Sequence, residues 1–188
     1  MRTSLLGFVV LLALVVQAFA PPAAYRAVSF DGRVSRLEAL PVRLPSAPEE
    51  YQLALREAAE TWNRAGIGQV FVLDCPQSDL AIDWTGRGLE DASAARTTLS
   101  PIAPGRLQLA GLSVRAEGRE HHVLRHILTH ELGHVLGLEH SEIPGDVMFC
   151  RHQNGTGRLS NRDRRMLRWL YRRPAYTPLL AGRVGQGG

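Results

Sequence analysis

Apolar residues recur at helical spacing in two stretches of this 188-residue chain. Leu53, Leu55, Ala58, Ala59 and Trp62 predict an amphipathic helix over Glu49 to Arg64, and Leu124, Ile127, Leu128, Leu132, Val135 and Leu136 predict a second with a buried stripe. The start of a third helix is marked by Ser160-x-x-Asp163, which has the chemistry of a capping box. Val70 to Leu73 and Leu80 to Trp84 are short runs of β-formers, and Arg106 to Val114 alternates apolar and polar residues as a half-exposed strand does. Gly86 to Ser93 is polar and contains glycine, which predicts a loop. Pro21 to Pro48 is rich in Pro and Ala and reads as a linker or extended arm. The tail from Pro174 ends in glycine-rich sequence and is expected to be disordered. No internal repeat is visible.

The N-terminus has a different pattern. Arg2 precedes an apolar stretch from Leu5 to Val16, followed by Gln17-Ala18-Phe19-Ala20 and Pro21-Pro22. Ala18-x-Ala20 is a small-residue cleavage signature, so residues 1–20 are expected to be a secretory signal removed after Ala20. An uncleaved anchor is the alternative, but the stretch is short for a span, and no other segment is apolar enough to cross a membrane. No cysteine stands at the cleavage site to take a lipid. The protein is therefore expected to be secreted or periplasmic.

Removing 20 of the 188 residues leaves about 168, enough for one domain with a real core. That domain is placed at residues 49–173, with 174–188 as the tail. The net charge of +4 is modest, and every basic residue counted is an arginine. The absence of lysine reads as coding bias of a GC-rich bacterial genome rather than mechanism. Arg162, Arg164, Arg165, Arg168, Arg172 and Arg173 cluster on the third helix. A solvated helix face explains them better than an anionic or nucleic-acid partner, and no nucleic acid is expected.

The chemistry is concentrated in His130-Glu131-Leu132-Gly133-His134-Val135-Leu136-Gly137-Leu138-Glu139-His140, which reads H-E-x-x-H-x-x-G-x-x-H. Positions four apart share one helix face, so His130 and His134 can reach one ion. A helix continuing straight would carry His140 out of reach. Gly137 can end the helix in the left-handed conformation and turn His140 back. Three neutral imidazoles with one position open describe a catalytic zinc site, whereas a structural site is normally closed by a fourth ligand. Glu131 is not needed as a ligand. Beside the ion it is placed to act as general base toward a water whose pKa the zinc lowers.

This run resembles the zinc motif of the metzincin endopeptidases, and Gly145-Asp146-Val147-Met148 is similar to the Met-turn beneath their metal site. Within that clan His130 to Ser141, the interval from His140 to Met148, and the stretch from Leu159 to Tyr171 resemble the matrixins. The resemblance implies an α+β, zincin-like catalytic domain, with a small twisted mixed sheet, an active-site helix and a C-terminal helix. It implies one catalytic zinc on His130, His134 and His140, Glu131 as the catalytic carboxylate, Met148 as a structural Met-turn residue, and a protein or peptide substrate cleaved by a monomer. It also implies that Arg106 to Val114 is the sheet edge bordering the cleft, to which an extended peptide adds by backbone hydrogen bonds.

Matrixins commonly carry a second, structural zinc and calcium. All seven histidines lie from His121 onward, so no upstream cluster is available for a second zinc. Asp79, Asp83, Glu90 and Asp91 could supply calcium ligands, but their spacing matches no calcium loop and solvated loop acids explain them. A cysteine-switch propeptide is missing, because no cysteine precedes Cys75.

His122 and His126 continue the four-residue spacing back from His130. With three histidines and water the site is complete, so they are read as exposed or supporting residues. His121 and His152 are read as surface residues. Cys75 and Cys150 are expected to form a disulfide in an oxidising compartment; the alternative is a free Cys150 thiolate acting as a regulatory ligand. The reading is a secreted zinc-dependent endopeptidase. Its alternatives are a non-catalytic, zinc-containing binding or adhesion module and a narrow-specificity processing protease or toxin.

Overall fold

Two helices form the layer that carries the motif. The first, α1, spans Glu49–Asn63 and buries Ala54, Leu55, Ala58, Ala59 and Trp62. Leu53, expected on that stripe, is instead exposed. The second, α2, spans His121–Val135 and buries Leu124, Ile127, Leu128, Leu132 and Val135. Trp62 joins the two, its indole N–H donating to the Thr129 carbonyl at 2.8 Å inside the core. The computed structural model describes residues 25–27, 29–30, 33–103, 106–150 and 155–172. The signal segment, His152, Arg173 and the tail from Pro174 lie outside the described residues.

The segment expected to be a linker contributes strands: β1 (Tyr25–Ala27), β2 (Ser29–Phe30), β3 (Arg33–Val34), β4 (Arg36–Leu37) and β5 (Val42–Arg43). The remaining strands are β6 (Phe71–Val72), β7 (Ile82–Asp83), β8 (Ala95–Ala103), β9 (Arg106–Val114) and β10 (Leu138–Ser141), and α3 covers Asn161–Arg172. β5 pairs in parallel with β6, and Val42 and Leu44 are buried beside it. β2 pairs with β3, and β1 pairs with β10, just beyond the motif glycine. This part of the chain is therefore woven into the domain, because its buried aliphatics need partners that a solvated arm would not supply.

In the main sheet β9 is the central strand. It pairs antiparallel with β8 along its length and in parallel with β4 and β7 on its other side. The expectation that Arg106 to Val114 forms the edge is thus overturned: β8 is the edge among the described residues, and it packs toward α2. β8 is half-exposed, with Ala95, Thr97 and Leu99 turned inward and Arg96, Thr98 and Ser100 outward. Gly137 adopts φ +87° and its N–H bonds the His134 carbonyl at 2.8 Å, so α2 ends there and the chain turns into β10.

Candidate metal centre

His130 and His134 lie one turn apart on α2, and β10 brings His140 back toward them. The His134 Nε2 atom sits 3.1 Å from His130 Nε2 and 3.3 Å from His140 Nε2. A tetrahedral zinc with N ligands at about 2.0–2.1 Å places neighbouring ligand atoms roughly 3.3 Å apart. The tautomers also fit. His130 Nδ1 donates to the Val147 carbonyl at 2.8 Å and His134 Nδ1 to the Leu138 carbonyl at 2.7 Å. A carbonyl only accepts, so both Nδ1 atoms hold protons, and in the neutral rings both Nε2 lone pairs face one point. Burial pushes His134 down to about 4, which keeps it neutral. Lone pairs converging at this range call for a cation. Among the described residues these histidines form the one group of three or more His, Cys, Asp or Glu placed to hold a metal, with ligand atoms within 4.8 Å of one another.

Glu131 stands beside the cluster and is almost wholly buried. Thr97 of β8 donates its hydroxyl to Glu131 Oε2 at 2.7 Å and also lies 3.1 Å from the Glu131 carbonyl. Burial pushes the carboxyl up to about 7, while the Thr97 hydrogen bond pulls it the other way.

The sequence profile of the matrixins matches residues 48–172. This chain belongs to the matrixin family. Members of that family are zinc metalloendopeptidases that use a catalytic zinc, and the His130, His134 and His140 cluster fits the family's zinc-binding motif. A search of curated proteins finds no match to the chain.

Met148, expected as the Met-turn residue, is fully buried against α2. A Cβ placed on Gly133 would meet its Sδ at 2.3 Å and Trp62 Cζ2 at 2.8 Å, so the glycine between the two helix ligands admits the Met-turn. The turn is held from two sides. The Ser141 hydroxyl donates to Asp146 Oδ2 at 2.6 Å, and Arg162 of α3 pairs with the same carboxylate at 3.0 Å. Burial raises the Asp146 pKa, but the Arg162 and Ser141 hydrogen bonds outweigh it and hold the group below the ordinary value. Ser160 and Asp163 cap α3 reciprocally, Ser160 N–H to Asp163 Oδ2 at 2.7 Å and Asp163 N–H to Ser160 Oγ at 3.1 Å. Asp163 Oδ2 also accepts the Val147 N–H at 3.1 Å. The peptide groups of Val147 therefore connect α3 to ligand His130, a role that the capping pattern alone did not announce.

The other sequence candidates lie elsewhere. His121 contacts Glu57 at 3.1 Å and His122 contacts Glu120 at 3.2 Å. The His126 ring packs against Gly155, where an added Cβ would come within 2.4 Å. None of the three joins the metal cluster. Asp79 pairs with Arg43, Asp83 accepts from Thr85 and the Arg87 N–H, Glu90 pairs with Arg96, and the Asp91 carbonyl accepts from Arg115. On α3, Arg162 serves Asp146, and Arg164 and Arg168 donate to the Leu159 and Ala65 carbonyls. Arg162, Arg164 and Arg168 are therefore committed to internal bonds, while Arg165 and Arg172 are exposed. The expected disulfide is not formed: Cys75 and Cys150 are both free thiols. Cys75 is held where its N–H bonds the Leu44 carbonyl, with Sγ turned toward the Val72 and Leu73 carbonyls, while Cys150 is exposed just past the Met-turn. The residues that sequence reasoning missed are Thr97 and the accepting carbonyls of Val147 and Leu138. No motif marks any of them.

Proposed function

We propose that this matrixin is an exported, monomeric endopeptidase in which Glu131 is the general base and β8 carries the substrate. The observation that supports it is the buried Glu131 carboxylate beside three converging imidazole nitrogens, a constellation that a purely structural zinc site does not need. His130, His134 and His140 would hold the zinc, which supplies Lewis acidity and lowers the pKa of a water in its open position. The Val147 and Leu138 carbonyls fix the two helix imidazoles in the ligating tautomer. Glu131 accepts the proton of the attacking water and returns it to the leaving amine. An extended peptide adds to the free edge of β8 through main-chain hydrogen bonds, which favours unfolded segments over any strict sequence. Export rests on the N-terminal segment, with cleavage after Ala20. Among the described residues no helix is long and apolar enough to cross a membrane.

The test compares wild type with Glu131→Ala on casein, each with and without chelator. Wild type is expected to cleave, chelator to abolish cleavage, and the variant to lose on the order of 10²–10⁴-fold in rate while retaining zinc. Equal cleavage by the variant overturns the role of Glu131. A wild type that retains zinc but cleaves nothing points instead to a binding module.

A further inference from the structure

The inward face of β8 contains one polar residue among apolar neighbours. Ala95 and Leu99 point the same way as Thr97, and its register partner Leu112 is buried in the core. A β-branched hydrocarbon would fill this position, and a hydroxyl there is costly unless it is bonded. It is bonded, to Glu131. The 2.7 Å contact with Oε2 is in the charge-assisted range and takes the hydroxyl proton ahead of the longer contact with the carbonyl. The register of β8 on β9 shifts between Thr98 and Leu99, one residue beyond Thr97. Such bulges re-aim side chains next to active sites.

We propose that Thr97 is a positioning residue: it occupies one oxygen of the Glu131 carboxylate, fixes the plane of the group, and leaves the other oxygen for the reacting water. The proposal rests on the reading of Glu131 as general base. It adds a coupling between substrate and base, because the main chain of Thr97 belongs to the edge on which the peptide lies while its side chain holds the base. A peptide that pairs with β8 is thereby set in register with the carboxylate that serves its scissile bond. The hydroxyl makes no contribution to substrate affinity, since it faces inward.

The experiment measures kcat and KM for wild type, Thr97→Val and Thr97→Ser on a peptide taken from the main casein cleavage site, together with zinc content and Tm. Thr97→Val keeps the shape and loses the hydroxyl. It is expected to lower kcat about 10- to 100-fold, the range for losing a hydrogen bond to a charged group, with KM within twofold and zinc content unchanged. Thr97→Ser is expected to recover most of the rate. If Thr97→Val folds poorly, Thr97→Ser compared with Thr97→Ala gives the same answer. Wild-type kcat in Thr97→Val overturns the proposal, as does a Thr97→Ser variant no better than Thr97→Val. Glu131→Gln measured alongside separates the two ideas. A fully active Glu131→Gln removes the base itself and the role of Thr97 with it. An inactive Glu131→Gln beside a normal Thr97→Val overturns Thr97 alone.

Discussion

Gly133 is the residue at which the zinc helix meets the Met-turn. Its missing side chain is occupied by Met148 Sδ and the Trp62 ring, both in the fully buried core. Helix propensity favours alanine here by roughly 1 kcal/mol, so a solvent-facing site would gain from the change. At Gly133 packing reverses the sign. Gly133→Ala is expected to cost about 1–3 kcal/mol by overpacking and to displace Met148 from its place against α2. Thermal melts and bound-zinc measurements check this, and Met148→Ala in the same chain should relieve part of the loss in a double-mutant cycle. A Gly133→Ala variant as stable as wild type would show that the Met148 contact is not tight. At this scale the ligands were legible in the sequence, because spacing alone puts His130 and His134 on one helix face and Gly137 turns His140 toward them. Thr97 was not legible. A threonine in a strand is ordinary, and only tertiary placement brings its hydroxyl to Glu131.

Among elements, the Met-turn depends on two neighbours that approach from opposite ends of the sequence motif. Ser141 at the end of β10 and Arg162 at the start of α3 share the Asp146 carboxylate, whose side chain is fully buried. Burial alone would raise the folded-state pKa of Asp146, but hydrogen bonds from Arg162, Ser141 and Ser160 outweigh it and depress the value. A depressed carboxyl contributes stability that is present above its unfolded value, near 3.8, and is lost as pH falls through the lower folded value. Asp146→Asn removes that linkage and leaves Arg162 without its charged partner. The variant is expected to be less stable by about 1–3 kcal/mol at neutral pH, with the gap to wild type closing as pH drops below 4. Melting temperature against pH for both proteins checks it, and parallel curves down to acid pH would count against the clamp. Among the elements themselves, the helices were legible and β8 was not. Its inward positions Ala95, Thr97 and Leu99 alternate with polar Arg96, Thr98 and Ser100 over too few residues to read as a strand, and Pro101 argues against a strand interior. Pro104-Gly105 before β9 was the overlooked signal, a turn dipeptide between two runs that pair antiparallel. The resemblance implies an edge at Arg106 to Val114, and β8 takes that place instead.

For the whole molecule, the segment from Pro21 to Pro48, whose Pro and Ala content predicts a linker or arm, contributes strands to the domain in its described part. Strands of two residues carry no readable period, and their meaning comes from the strands they join. Leu37, Val42 and Leu44 are 6%, 2% and 0% exposed, and β5 supplies the parallel partner of β6. Arg36 stacks over the Tyr171 ring at 5.2 Å and donates to the Tyr171 carbonyl at 3.2 Å, while the Tyr171 hydroxyl donates to the Leu136 carbonyl at 3.0 Å. The segment therefore braces the end of the zinc helix through α3. Burying a large aliphatic side chain is worth about 1.5–3 kcal/mol, so three of them contribute roughly 5–9 kcal/mol, the scale of an entire domain's net stability. A chain beginning at Pro48, where the family match starts, is accordingly expected to be unfolded or to melt more than about 10 °C below one beginning at Pro21. It should also lose zinc, since the turn after α2 packs on this segment: a Cβ on Gly137 would lie 3.1 Å from the Ser35 carbonyl. Circular dichroism melts and metal content of the two purified chains decide the matter. If both melt together and bind zinc equally, the N-terminal strands are ornament on a domain that begins at α1; if the shorter chain fails, the catalytic unit begins upstream of the family match, and the apparent linker is part of the scaffold that holds the third histidine in place.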